Sequence, residues 1–140
     1  MSEMSAPAPT NTNLQLIKRL YDAMQRSDMP GALALMSDDV VFVVPGPSSV
    51  GAAGTWRGHD GVQECFRRLR EGQENQSVEF LEFVADDDKV VVLLHVKAKA
   101  LSTGKVFESD IVHFFKIRNG KIVSLLDFFD TAALAAAHRA

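Results

Sequence analysis

The sequence predicts an α+β domain in which helices gather on one face of a curved antiparallel sheet. Apolar residues recur at helical intervals in the first half of the chain, whereas runs rich in β-branched and aromatic residues dominate from about residue 76 onward. Two of these runs flank Asn119-Gly120, and both residues tolerate the positive φ of a tight hairpin turn. Helices followed by consecutive strands are typical of the α+β class.

Length and composition favour one globular domain. The 140 residues are 46% hydrophobic and 24% charged, with a net charge of −3, so no basic face favours nucleic acid or an anionic membrane. No run approaches the roughly 18 apolar residues of a membrane span, and residues 1–11 lack the order of a signal peptide. We therefore expect a soluble cytoplasmic protein with a flexible tail at 1–11 and a single domain at 12–140.

Three helices are predicted before the four consecutive strands, with one further strand between the second helix and the third. The first begins at Thr12, where capping-box spacing precedes an apolar face, and the second is capped by Asp28 with Pro30 near its start. In this interpretation Ser37-Asp38-Asp39 ends the second helix. The third opens near Asp60 and carries Cys65 in an apolar stripe, which favours a small buried hydrophobe over a nucleophile.

Five strands are predicted. The β-branched run from Val40 to Val44 indicates a buried strand, and the glycine- and proline-rich segment 45–58 that follows is expected to be a loop at a pocket rim. The other four strands are consecutive and antiparallel, at Val78–Val84, Val90–Leu101, Val106–Ile117 and Lys121–Phe129.

After the last strand, Asp130 is expected to cap a short helix at 132–137.

His113 and Asp127 stand out because they interrupt apolar strands. An imidazole or a carboxylate is costly to bury without a partner, so both are candidates for chemistry. Burial would raise the pKa of Asp127 toward neutrality, which suits a general acid or base, and His113 could orient it, donate to an oxyanion or act as the base. The structural alternative places Asp127 at a solvated strand end and makes His113 a satisfied core histidine.

The turn decides whether the two residues share a face. With a two-residue loop at Asn119-Gly120, Arg118 pairs with Lys121, and His113 points away from the face of Asp127. With a three-residue loop in which Gly120 is a bulge, Ile117 pairs with Lys121 and the two residues share a face. Both alternatives are compatible with the residues.

The remaining polar residues favour structural roles. The parity of His95 with Lys97 and Lys99 places it on the outer sheet face or in a dimer interface, and the four histidines lack metal-binding spacing. The glycines do not form a phosphate-binding fingerprint, so we expect no metal and no cofactor. Trp56 is either a cover for an apolar ligand or a structural anchor.

The chain resembles the SnoaL-like, ketosteroid-isomerase-like branch of the nuclear transport factor 2 superfamily. The resemblance spans roughly residues 12–133 and rests on the element order, Asp28, the turn from Trp56 to Gly61 and the ending GKIVSLLDFFD. It implies a cone-shaped, cystatin-like architecture, with a bent antiparallel sheet wrapped around N-terminal helices and an apolar cavity between them. It also implies a homodimer that pairs through the outer sheet face.

Ketosteroid isomerases place their catalytic groups where this chain has other residues. Their general base, the carboxylate before the proline that ends the first strand, falls at Val44, and their oxyanion-binding tyrosine falls near Leu20, with Tyr21 one residue off that face. Their protonated aspartate falls at His113. The resemblance therefore does not imply a steroid-isomerase mechanism.

Limonene-epoxide-hydrolase-like enzymes share one carboxylate with this chain. Their last-strand aspartate matches Asp127 through the local pattern of GKI, three residues and then Asp. Their partner arginine and second aspartate fall at Leu94 and Val96, and their water-holding residues fall near Phe42 and Val44. Only the Asp127 position is retained.

The sequence therefore predicts a small-molecule pocket protein. One hypothesis is an isomerase, hydrolase or cyclase that uses Asp127 as general acid or base, with His113 assisting, on a small apolar or aromatic ligand. The alternative is a noncatalytic ligand-binding or interaction module of the same fold. The predicted pocket lining comprises Leu20, Tyr21, Phe42, Val44, Trp56, Phe66, Leu94, Val96, Phe115 and Phe129.

Overall fold

Four helices and one six-stranded sheet make up the protein, in a computed structural model that describes residues 9–47 and 51–140, with side chains from residue 12. The helices are α1 (Pro9–Gln25), α2 (Met29–Ala34), α3 (Gly58–Gly72) and α4 (Thr131–Ala137). The strands are β1 (Met36–Val44), β2 (Gly54–Arg57), β3 (Gln73–Asp86), β4 (Lys89–Ala100), β5 (Val106–Arg118) and β6 (Lys121–Phe128).

The sheet has the strand order β2-β1-β6-β5-β4-β3. All neighbouring strands are antiparallel except β1 and β6, which run parallel with Phe42 opposite Leu125. This curved, mostly antiparallel sheet with N-terminal helices confirms the predicted α+β cone. Within the described ranges, no helix is both long and apolar enough to cross a membrane.

Several predicted boundaries were wrong. Helix α1 begins at Pro9 rather than Thr12, so residues 9–11 of the expected tail are helical and its first eight residues lie outside the described part of the chain. Strand β1 begins at Met36, so Ser37-Asp38-Asp39 belongs to a strand instead of ending α2. The predicted loop 45–58 contains strand β2, because Gly54–Arg57 pairs with the edge of β1.

Both aspartate caps predicted from the sequence are confirmed. The backbone N–H of Gly31 donates to Asp28 Oδ1 at 3.0 Å, and that of Ala133 donates to Asp130 Oδ1 at 2.9 Å. Each carboxylate satisfies an N–H that the first turn of its helix leaves without a partner. The caps fix the first residues of α2, which precedes the strands in the chain, and of α4, which follows them.

The main core lies between α1 and the concave face of the sheet. Leu16, Ile17 and Leu20 of α1 are almost completely buried in one cluster with Phe42 of β1 and Phe115 of β5. The alternating burial along β4 places its even-numbered residues in this core and its odd-numbered residues outside. Helix α1 therefore packs mainly against β3 and β4 on this concave face.

A second, smaller cluster lies beside α3. Cys65 is 1% exposed and packs with Val44 and Ala52, which confirms the expected buried free thiol. Trp56 and Phe129 pack against this cluster from its edge.

Candidate active site

The β5–β6 hairpin turns through two residues. Arg118 pairs with Lys121, and the residues between them, Asn119 and Gly120, have φ values of 53° and 74°. Two consecutive positive φ angles match the type I′ turn that Asn-Gly favours. The hairpin and its turn residues are confirmed.

A bulge at Val123 then changes the register of the hairpin. Ile117 pairs with Ile122, but Lys116 pairs with Ser124, so Val123 has no partner in the ladder. One extra residue in one strand exchanges the faces of all residues beyond it. As a result His113 lies directly opposite Asp127.

Each alternative drawn from the sequence was therefore right on one point and wrong on the other. The turn has two residues, yet His113 and Asp127 share the concave face, because the bulge lies within β6 rather than at Gly120. The register of His113 with Val92 on β4 agrees, since Val92 is fully buried on that face.

Tyr21, His113 and Asp127 form a chain of polar side chains across the interior. The Tyr21 hydroxyl lies 2.6 Å from His113 Nδ1, a hydrogen bond between α1 and β5. On the other side of the ring, His113 Nε2 lies 3.5 Å from Asp127 Oδ1, a few tenths of an ångström beyond an ordinary hydrogen bond. The His113 and Asp127 side chains are 16% and 17% exposed, so the pair is mostly but not completely covered.

Burial sets the protonation states of these groups. Loss of solvation lowers the pKa of His113 to about 4, so the ring is neutral near pH 7. It raises the pKa of Asp127 to about 7, against the weaker opposing effect of the Phe128 backbone N–H. Burial, and secondly the charge of Asp127, raise the pKa of Tyr21 far above its usual range. Near neutral pH, Asp127 is thus the group that exchanges a proton.

One oxygen of Asp127 has no hydrogen-bond partner among the described residues. Asp127 Oδ1 is inaccessible to solvent and accepts no hydrogen bond from any described residue. A buried polar atom without a partner costs free energy, and such atoms cluster where a ligand, water or reaction supplies the missing contact. Cys65 of α3 is close enough for the Asp127 charge to act on it, since burial and then this charge raise the pKa of its thiol to about 12.

Tyr21, which the family resemblance put one residue off the face of the oxyanion-binding tyrosine, lies in the interior beside His113. It is 8% exposed and stacks on His113, with ring centroids 5.8 Å apart and an interplanar angle of 13°. The ring of Phe80 of β3 packs against Tyr21 in a T-shaped arrangement, with centroids 4.8 Å apart. Its helical spacing from Ile17 is the sequence signal for this placement, because residues four apart share one face of a helix.

The other predicted lining residues pack against one another. Six of them belong to the main core and are at most 8% exposed: Leu20, Phe42, Phe66, Leu94, Val96 and Phe115. Val44, Trp56 and Phe129 meet in the second cluster. Their role in binding a ligand stays a prediction.

Two surface depressions lie elsewhere, along α3. One, of about 340 Å³, is lined by Met29 and by polar side chains including Asp60 and Arg70. The other, of about 310 Å³, lies between α3 and His138. Neither is lined by any residue of the predicted pocket.

Trp56 and His95 have structural contacts. The Trp56 indole N–H donates to the Ala52 carbonyl at 2.7 Å, which ties β2 to the preceding loop. His95 faces outward and bridges Asp110 and Glu108 at 2.8 and 2.9 Å. These two hydrogen bonds raise the pKa of His95, led by the bond to Glu108. Within residues 9–47 and 51–140, no group of three His, Cys, Asp or Glu side chains is arranged to hold a metal.

Comparison with known proteins gives the context of this site. The sequence model for the SnoaL-like domain matches residues 17–125. An uncharacterised protein of Mycobacterium bovis is 27% identical over 124 residues, which cover 88% of this chain and 93% of that protein.

Two solved structures are similar throughout. An NTF2-like protein from Burkholderia xenovorans is 32% identical, with a TM-score of 0.85 over 95% of this chain and 100% of that one. TerC, which was co-crystallised with polyporic acid, is 28% identical, with a TM-score of 0.80 over 92% of this chain and 99% of TerC.

Proposed function

Because the chain belongs to the SnoaL-like domain family, we propose that it acts on a small, mainly apolar or aromatic molecule by proton transfer, with Asp127 as general acid and base. The reaction classes that this chemistry serves are isomerisation, hydrolysis and cyclisation. The observation that carries the proposal is the buried, unpartnered Oδ1 of Asp127 beside a neutral imidazole.

The pKa of Asp127 suits both directions of a proton transfer. At a pKa of about 7 the ionised and protonated forms are both populated near neutral pH. The ionised form can take a proton from carbon next to a carbonyl group or from water, and the acid so formed can return it to another atom of the same substrate. His113 assists by facing the carboxyl group at 3.5 Å and by remaining uncharged.

The ligand class is inferred from the interior of the cone. The predicted lining is aliphatic and aromatic, and polar contacts are concentrated at Tyr21, His113 and Asp127. TerC, a structure of the same fold, was crystallised with polyporic acid, which supports an aromatic ligand here. A small aromatic ketone, enol or quinone combines an apolar body with an oxygen for these polar groups.

Substitution of Asp127 tests the proposal. A panel of aromatic ketones, epoxides and polyporic acid is screened for turnover with the native protein, and the active compounds are then assayed with Asp127→Asn. We expect turnover to fall by two to four orders of magnitude, which is the range for loss of a general acid–base group. Asp110→Asn is the matched control, because that carboxylate lies on the outer face. Native turnover by Asp127→Asn would overturn the assignment.

A noncatalytic binding module is the second candidate. It is favoured by the aliphatic side chains of Val44, Leu94 and Val96, which stand where the related enzymes carry polar catalytic groups. A thermal-shift titration with polyporic acid separates the two candidates. Stabilisation by this ligand, together with no turnover of any compound in the panel, would support binding alone.

We also infer that two copies associate through the outer sheet face. Leu126 and Phe128 of β6 are 38% and 52% exposed on that face, and Val84 of β3 is 49% exposed. They flank the outward side chains of Val112 and Phe114, which pair with Phe128 and Leu126. A contiguous apolar face of this kind favours a protein partner, and a second copy presents the same surface.

A further inference from the structure

We propose that Tyr21 is a positioning and ligand-orienting residue whose hydroxyl proton is directed to His113 when Asp127 is ionised and to a bound oxygen acceptor when Asp127 is protonated. The inference rests on the proposed function in taking Asp127 as the titrating acid of the site. It follows from which nitrogen of the neutral His113 ring carries the proton, because Tyr21 is hydrogen-bonded at 2.6 Å on one side and the Asp127 carboxyl group lies 3.5 Å away on the other.

When Asp127 is ionised, electrostatics favour one position for the single proton of the His113 ring. A neutral imidazole carries one N–H, and a ring nitrogen lone pair facing a carboxylate oxygen at 3.5 Å would be repelled. The proton therefore resides on Nε2, toward Asp127. Nδ1 is then an acceptor, and the Tyr21 hydroxyl, 2.6 Å away, donates to it. The Tyr21 hydroxyl group therefore donates its proton within the protein and cannot donate it to a ligand.

When Asp127 is protonated, the arrangement reverses. The carboxyl O–H donates to Nε2, so the ring proton resides on Nδ1 and is donated to the Tyr21 oxygen. Tyr21 then has its own O–H free for another acceptor. The balance is one proton: it enters at the Tyr21 oxygen, the former Tyr21 proton passes to Nδ1, and the former Nε2 proton passes to Asp127.

The surroundings leave Asp127 as the group that changes charge in this cluster. Helix α3 contributes Cys65, whose thiol stays protonated. Helix α1 contributes Tyr21 and also Lys18, whose ammonium lies 5.3 Å from the Phe83 ring. The neighbouring strands contribute apolar side chains: Val92 of β4, Phe115 of β5, and Phe80 and Phe83 of β3.

This arrangement selects a class of ligand. A ketone, enolate or phenolate oxygen placed at Tyr21 accepts the freed proton and so favours protonated Asp127. Such a ligand binds with uptake of one proton when the pH lies above the pKa of Asp127. A purely hydrocarbon ligand makes no such bond and binds without proton uptake.

The experiment uses the fact that Tyr21 is the sole tyrosine of the chain. Protein labelled with ¹³Cζ-tyrosine and ¹⁵N-histidine is titrated from about pH 5 to pH 9 by NMR. We expect the single tyrosine signal to shift with the same midpoint as the Asp127 carboxyl. Over the same range the His113 proton should move from Nδ1 to Nε2 as the pH rises, without formation of the cation.

Two variants complete the test. Asp127→Asn should abolish the tyrosine shift, whereas Asp110→Asn, which removes a carboxylate beside the outward-facing His95, should retain it. If Asp127→Asn does not fold, His113→Gln replaces it, with the same expected loss. A tyrosine signal that is constant with pH in the native protein, or a shift that survives in Asp127→Asn, overturns the inference.

Failure of this inference is distinguishable from failure of the proposed function. If Asp127→Asn loses turnover but the tyrosine signal of the native protein does not change with pH, only the role of Tyr21 is rejected. A tyrosine signal that follows Asp127, with native turnover in Asp127→Asn, supports the coupling and rejects catalysis by Asp127.

Discussion

His113 and Asp127 affect folding stability in opposite directions as pH changes. The folded-state pKa of Asp127 is raised from 3.8 to about 7, so its contribution is full below about pH 4 and is lost as pH rises through 7. The folded-state pKa of His113 is lowered from 6.5 to about 4, so its contribution is full above pH 6.5 and is lost as pH falls through 4. One pKa unit corresponds to 1.36 kcal/mol, so each group changes the free energy of unfolding by on the order of 3 to 4 kcal/mol. Between about pH 4 and pH 6.5 the two changes have opposite signs and largely cancel.

Single substitutions should reveal the pH dependence of stability that each of the two groups contributes. In His113→Gln only the Asp127 effect remains, so the free energy of unfolding should fall between about pH 5 and pH 7, by about 2 kcal/mol. In Asp127→Asn only the His113 effect remains, so it should rise by about the same amount. Urea unfolding at pH 5 and pH 7 measures the free energy of unfolding of each variant. The contribution of surface carboxylates is the same in both variants and cancels when their pH dependences are compared. Slopes of the same sign would show that burial does not control these groups.

At the scale of elements, the β5–β6 hairpin decides which residues reach the interior. Its turn could be predicted because Asn119 and Gly120 determine it locally. Its register could not be predicted, because the bulge at Val123 has no glycine or other local signature. We attribute its position to packing, since it lets Ile122 and Leu125 both face the core, where they are 0% and 7% exposed.

Deletion of Val123 should preserve the candidate site. Without the extra residue the ladder becomes regular, and Lys116 still pairs with Ser124, so Asp127 stays opposite His113. We expect the pKa of Asp127, followed by carboxyl ¹³C NMR, to remain far above its usual range. The variant should be about 1 to 2 kcal/mol less stable, because the bulge contributes to the bend of the sheet.

Val123→Ala is the matched control for that deletion. It keeps the bulge and removes only the side-chain bulk, so it separates chain length from packing. If the deletion returned the pKa of Asp127 to its ordinary value while Val123→Ala did not, the strand would have slipped, and the bulge would be an obligatory part of the site.

At the scale of the whole molecule, the two faces of the sheet have separate roles. The concave face carries the Tyr21, His113 and Asp127 chain, and the outer face carries the apolar side chains proposed to meet a second copy. A perturbation of one face is therefore expected to leave the other intact. This separation makes oligomeric state and site chemistry independently testable.

Leu126→Glu should convert a dimer to a monomer. A carboxylate at this half-exposed position on a central strand would be buried without a partner in the dimer, which costs several kcal/mol across two symmetric copies. Sedimentation velocity measures the mass. Leu101→Glu is the control, since Leu101 is 47% exposed but lies in the turn after β4. A native protein that sediments as a monomer at 100 µM would reject the dimer.

Prediction from sequence succeeded for features that neighbouring residues determine. Helical spacing, β-branched runs, the Asp28 and Asp130 caps and the Asn119-Gly120 turn are local, and the α+β fold follows from their order along the chain. The unusual placement of His113 and Asp127 in apolar strands was also visible without a structure. Their catalytic roles stay predictions.

The tertiary structure alone decided which of these groups meet. The bulge at Val123 turns Asp127 to face His113, α1 places Tyr21 against the same ring, and β1 pairs in parallel with β6. Each contact joins residues far apart in the chain. It depends on how two apolar faces fit together, a condition that no local pattern contains. The sequence by itself therefore determined the elements and the candidate acid, and only the folded packing determined its partners.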